Sequence, residues 1–274
     1  MADDLLTDFE RTTFTAEGKT RDVFRKGSGP AVIVMAEIPG ITPRVADFAR
    51  RVADIGCTAV LPHLFGQPGR DPNALSKGKA FGYMVSSIGP ACISKEFHVL
   101  ATGKTSPVID WLRALARHEH EVCGGPGVGA VGMCFTGGFA LAMATEDVLL
   151  APVLSQPSMP ATINRKHRYN IDISPEDLAV VQHRCAAEGL EVLGLRFTSD
   201  KLVSDERFQF LRDKLGDGFV AVELADQDAN PEAMMTPHSV LTEHLIDQPG
   251  SATRKAMDQV LDLFRTKLLA DATS

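Results

Sequence analysis

Apolar residues along this chain alternate between short continuous runs and longer stretches in which they recur every three or four positions. The runs at 31–36, 57–61, 128–131, 148–154, 191–197 and 219–224 are too short for buried helices. Several are bounded by glycine or proline, and together they predict strands covered on both faces. Between them, 44–55 carries Val45, Phe48, Ala49 and Val52 at helical spacing, with Pro43 before it and Gly56 after it. Further helices are predicted from Pro107 onward (Val108, Leu112, Leu115 and Ala116 on one face), and over 137–145, 175–188, 204–215 and 252–269. Ser204 is placed to cap its helix, with Asp205 and Glu206 in the first turn. Strands alternating with helices predict a mostly parallel sheet with helices on both faces, an α/β architecture of three layers.

Two regions depart from that rhythm. The N-terminal segment, rich in threonine and charge, predicts one or two edge strands. Residues 66–105 are interrupted by Gly66, Pro68, Gly69, Pro72, Gly89 and Pro90 and read as a surface excursion of short helices that could line a site. Neither repeats nor a low-complexity linker divide the chain, so 1–274 is expected to form a single domain.

Composition narrows the function. A net charge of −7, with 23% charged residues, provides no basic stripe for a nucleic acid partner. The acidic start, Met1 to Glu10, lacks the basic and apolar blocks of a secretory signal, and five scattered cysteines suit free thiols, so a cytoplasmic protein is expected. The uncharged run 122–145 is long enough to span a bilayer. However, Gly124, Gly125, Gly127, Gly129, Gly132, Gly137 and Gly138, with Pro126, make it a poor helix. It reads instead as loop, strand, turn and helix, and no membrane partner is expected.

That run carries the candidate chemistry. Val128-Gly-Ala-Val-Gly-Met-Cys-Phe-Thr-Gly-Gly138 has the layout of a nucleophile elbow, in which a strand enters a sharp turn that presents one reactive side chain before a helix begins. Small residues must flank such a turn because strand and helix approach closely, which accounts for Gly132, Gly137 and Gly138. Thr136 stands where glycine is usual. Cys134 is the candidate nucleophile, since a thiolate is more accessible near neutral pH than an alkoxide. Asp200 lies just past one predicted strand and His238 in a proline-led loop after the next, where this sheet type gathers its functional loops. Asp205 fits better as a first-turn helix acid, and His244 as a residue on a helix. His118, His120, Cys123 and His63 lack the spacing of a metal site. Gly127 to Gly132 spells a dinucleotide fingerprint with Asp147 twenty residues on, but the predicted strand lies inside the motif rather than before it.

The elbow G-M-C-F-T-G-G resembles that of the dienelactone hydrolase family, which carries G-x-C-x-G-G. Glu37-Ile-Pro-Gly40 resembles the family's E-x-x-G segment, Pro62-His-Leu-Phe-Gly66 a strand end of its P-D-L-Y type, and Ser199 to Val203 and Pro237-His-Ser239 its acid and histidine loops. The resemblance implies an α/β-hydrolase fold that hydrolyses small esters or lactones without a cofactor or metal. Cys134 would be the nucleophile, His238 the general base and acid, and Asp200 its orienting carboxylate. Glu37 would contact the resting thiol and take its proton, while the backbone amides of Ile38 and Phe135 would form the oxyanion hole. Thioester hydrolysis or acyl transfer on the same triad, and a binding module without chemistry, are the alternatives. The family's substrate-binding arginine, one helical turn after the histidine, is replaced by Thr242, with Arg44, Lys95 and His98 as candidate substitutes.

Overall fold

The computed structural model describes residues 2–93, 96–233 and 235–270. Its strands are β1 (Glu10–Ala16), β2 (Lys19–Gly27), β3 (Ala31–Met35), β4 (Thr58–Pro62), β5 (Val128–Met133), β6 (Leu149–Ser155), β7 (Val192–Phe197) and β8 (Phe219–Leu224). They form one sheet in the order β1-β2-β4-β3-β5-β6-β7-β8. The first two pairings, β1–β2 and β2–β4, are antiparallel and all later ones parallel. Only β1 of the N-terminal pair is an edge strand. Its tight hairpin turns on Glu17 and Gly18, both at positive φ as a two-residue connection requires.

The helices are α1 (Pro43–Asp54), α2 (Lys77–Ile93), α3 (Val108–Cys123), α4 (Phe139–Met143), α5 (Arg165–Arg168), α6 (Pro175–Glu188), α7 (Asp205–Leu215) and α8 (Ala252–Phe264). Side chains alternate across the strands, so Ala31, Ile33 and Met35 of β3 join the core beneath α3, α4, α6 and α7. Val32, Val34 and Ala36 join the one beneath α1 and α8. This is the expected three-layer α/β architecture.

Several expectations need correction. The excursion at 66–105 contains, besides the expected short helical turn at Pro72–Ala74, a helix of 17 residues, α2, despite its glycines and proline. Ser204 stands at the start of α7, yet its hydroxyl donates to Arg168 O (3.2 Å) instead of capping the helix. His244 lies in a turn rather than on a helix. Among the described residues no helix is long and apolar enough to cross a membrane. The glycine-rich run is divided among the end of α3, strand β5, a tight turn and α4. Strand β5 occupies Val128–Met133, within the glycine motif itself, so that motif does not lead from a strand into a helix as a dinucleotide loop must.

Candidate active site

The register of the parallel strands places the site. Met35 of β3 lies opposite Gly132 of β5, and Met133 lies opposite Ser155 of β6. Carried one or two residues past the strand ends, this alignment brings Glu37, Cys134 and Gln156 side by side. Asp200 follows β7, and the loop after β8 returns with His238. All five therefore meet at the carboxyl end of the sheet, where neighbouring chains diverge and leave a crevice.

Cys134 begins a single helical turn, Cys134–Thr136, at φ +53°, which an L-residue rarely adopts. The space around it leaves no choice of neighbours. A Cβ on Gly132 would lie 2.0 Å from Thr136 O, and one on Gly137 would lie 2.4 Å from Pro157 Cα. Thr136, the residue out of pattern, is fully buried. Its hydroxyl accepts from Met133 N–H (2.9 Å) and reaches Met35 O (2.9 Å), tying the elbow to the end of β3. A glycine would lack that tie.

His238 and Asp200 are both buried, and His238 Nδ1 donates to Asp200 Oδ2 at 2.6 Å. The other ring nitrogen, Nε2, is buried and has no hydrogen-bond partner of normal geometry among the described residues. Burial pulls the imidazolium pKa down, but the charge of Cys134 and the Asp200 carboxylate outweigh it and hold the ring well above the ordinary histidine range. Asp200 thus fixes one side of the ring, and the charge of Cys134 acts on it.

Glu37 departs from the expectation. Its carboxylate accepts from Ser239 Oγ (2.6 Å), from Thr242 Oγ1 and from Gln156 Nε2 (3.3 Å). No hydrogen bond joins it to Cys134. The thiol lies 3.4 Å from Ser158 Oγ instead. The hydroxyls of Ser239 and Thr242 hold the buried carboxylate on the histidine loop. Of the candidate replacement cations, Arg44 acts on Glu243 and is not in the cavity wall, His98 is also absent from it, and Lys95 lies outside the described residues.

The amides of Ile38 and Phe135 are free of intramolecular partners among the described residues. Phe135 belongs to the first turn of a helix, where N–H groups find no carbonyl within it, and Ile38 N–H makes no hydrogen bond among the described residues. Both residues line the cavity above Cys134. The competing residues have other attachments. His244 accepts from Ser239 N–H at Nδ1 (3.1 Å), so Nε2 carries the hydrogen and donates to Met235 O (3.1 Å), and burial lowers its pKa. Asp205 pairs with Arg196, His118 stacks on Phe14, His63 bonds Gly66 O and Cys123 accepts from Arg25.

Sequence reasoning missed Gln156, Ser158, Ser239 and Arg207. Gln156, at φ +35°, also accepts from Val240 N–H (3.3 Å), joining the ends of β3 and β6 to the histidine loop. Arg207 reads in sequence as a solvated charge on α7, yet it is fully buried. It donates to Pro157 O (2.7 Å), Pro160 O (2.5 Å), Asn170 O (2.8 Å) and His167 O (3.1 Å). Burial lowers its pKa to about 10 against the pull of Asp200. It fastens the segment that carries Ser158. Only the Ser-Gln-Pro-Ser string at the end of a predicted strand could have drawn attention to this region.

Similarity to solved structures reaches across nearly the whole chain at low identity. A dienelactone hydrolase-like promiscuous phosphotriesterase from metagenomic libraries is 19% identical, with a TM-score of 0.56 covering 95% of this chain and 98% of that one. The dienelactone hydrolase from Anabaena variabilis ATCC 29413 is 14% identical, with a TM-score of 0.57 over 95% and 99%. A thioesterase domain from the curacin biosynthetic pathway is 12% identical, with a TM-score of 0.55 over 93% and 99%. These likenesses establish the fold. No curated protein sequence matches. The model of the dienelactone hydrolase family matches residues 20–173, more than half of the chain and inclusive of the elbow, and the protein belongs to that family.

Proposed function

We propose that the protein hydrolyses carboxylic esters through an acyl-enzyme on Cys134. The observation that carries this reading is the convergence on one cavity of a strained, accessible thiol, a histidine bonded to a buried aspartate and two unengaged amides. In the first half-reaction Cys134 Sγ attacks the ester carbonyl carbon, and the oxygen becomes an oxyanion facing the amides of Ile38 and Phe135. Collapse of this intermediate breaks the bond to the alcohol, whose oxygen takes the proton held on His238. A ring that keeps its proton above the usual range suits that acid step. His238, now neutral, takes a proton from water. The hydroxide adds to the thioester, the thiolate leaves, and the carboxylic acid is released. The net change is one ester and one water to one acid and one alcohol.

Glu37 is assigned a positioning role. It holds Ser239, next to His238, and Thr242 in the same loop, and so fixes the loop relative to β3. The decisive experiment is turnover of p-nitrophenyl acetate by Cys134→Ala. Loss of activity with an unchanged circular dichroism spectrum is expected, and undiminished turnover would remove the thiol from the chemistry.

A further inference from the structure

The cavity over Cys134 has a volume of about 910 Å³, within the range of small-molecule sites. Apart from the His238 ring, its charged wall is one-sided. Among the described residues the carboxylates of Glu37 and Glu243 line it, and no lysine or arginine does. Both carboxylates have their own partners, Glu37 the three described above and Glu243 the Asn73 side-chain amide (3.1 Å). Burial, with the charges of Glu37 and Asp71, raises the pKa of Glu243 against the Asn73 hydrogen bond and the charge of Arg44. A substrate carboxylate entering here would lose its water and meet two acids, and the one cation in the wall among the described residues, the His238 ring, is already paired with Asp200.

The remainder of the wall is apolar and adaptable. Met84, Val99 and Met159 line its depth. Around the mouth, Phe81, Ile163, Leu202 and Met235 line the cavity while remaining 72%, 65%, 47% and 56% exposed. Large apolar side chains are rarely gathered at an opening without an apolar partner, and methionine conforms to chains of differing shape. The rim is continuous with the space above Cys134 and His238, so whatever it binds is presented to the thiol.

We infer that the substrate is an uncharged ester bearing an extended apolar acyl chain, which runs from the thiol out to the Phe81–Ile163–Leu202–Met235 rim, and that esters bearing a carboxylate on the acyl chain are rejected. This rests on ester hydrolysis at Cys134 and specifies its substrate class. Each methylene buried in such a wall contributes up to about fourfold in kcat/KM.

The test is a p-nitrophenyl ester series with acetyl, hexanoyl and octanoyl chains, set against the mono-p-nitrophenyl ester of adipate, which matches hexanoate in length but ends in a carboxylate. The expected result is a rise in kcat/KM of at least tenfold from acetate to octanoate and a preference of about 100-fold for hexanoate over the adipate monoester. Phe81→Ser and Leu202→Ser, both at exposed positions, should lower the octanoate-to-acetate ratio severalfold. A flat chain-length profile, equal use of the adipate ester, or a ratio that neither variant moves would overturn the inference while leaving ester hydrolysis standing. Hydrolysis of none of the four esters would instead defeat the reaction assignment itself.

Discussion

The floor of the cavity and its rim are built on opposite terms. On the floor, Thr136, Gln156, Glu37, Asp200 and His238 are buried, and their side chains are tied to backbone or to one another across β3, β5, β6 and the histidine loop. At the rim, Phe81, Ile163, Leu202 and Met235 project apolar surface toward solvent. The floor therefore fixes geometry, because moving any one group leaves a buried partner unsatisfied. The rim fixes little beyond polarity and width. Substitutions in the two regions should therefore differ in kind.

The largest effect is expected at the floor. Asp200→Asn removes the carboxylate that orients the ring, and kcat for p-nitrophenyl hexanoate should fall by about 10⁴-fold with the melting temperature little changed. Arg207→Met strips the charged donor from a set of buried carbonyls and should destabilise the fold by about 3 kcal/mol or more, read from urea unfolding. Gly132→Ala forces a methyl group against Thr136 O, and about 1–3 kcal/mol of stability should be lost together with activity, as the elbow shifts. At the rim, Phe81→Ser should change stability by no more than about 0.5 kcal/mol. A rim variant that unfolds the protein, or an elbow variant that does not disturb it, would erase the distinction.

A buried carboxylate behind the floor gives a pH test of the same contrast. Asp172 accepts from Ser106 Oγ (2.7 Å), but its Oδ1 has no partner, and burial raises its pKa to about 7 against that hydrogen bond. The folded protein thus holds a proton that the unfolded chain releases near the ordinary value of 3.8. Its contribution to stability is fully present below that value and is lost as pH rises to about 7. Asp172→Asn should therefore gain melting temperature relative to the wild type progressively from pH 4 to pH 7. A constant difference across that range would show that the group does not titrate as described.

Much of the fold was legible because each strand of the parallel sheet is a continuous apolar run and each covering helix has one apolar face. Cys134 was legible for a related reason, since the strained turn admits only small neighbours and writes them into the sequence. The excursion lines the cavity as expected, but the length of α2 was missed because glycine and proline lower helix propensity without forbidding a helix that packs over a cavity. Glu37 was located correctly on its strand end, but its partners Gln156, Ser239 and Thr242 lie more than a hundred residues away, and no local pattern reports which way a carboxylate turns. Arg207 was hidden by the same limit: on a helix between Glu206 and Phe208 it looks like any surface charge, and only the tertiary loops that surround it reveal the burial.

The account stands on Cys134 as the atom that carries the acyl group. Mixing the protein with excess p-nitrophenyl hexanoate, quenching in acid within milliseconds and mapping the peptides by mass spectrometry tests this directly. A hexanoyl adduct on the peptide at Cys134, formed with a stoichiometric burst of p-nitrophenol and absent from Cys134→Ala, is the predicted result. A hexanoyl adduct on Ser158, or steady turnover by Cys134→Ala with no adduct, would contradict it.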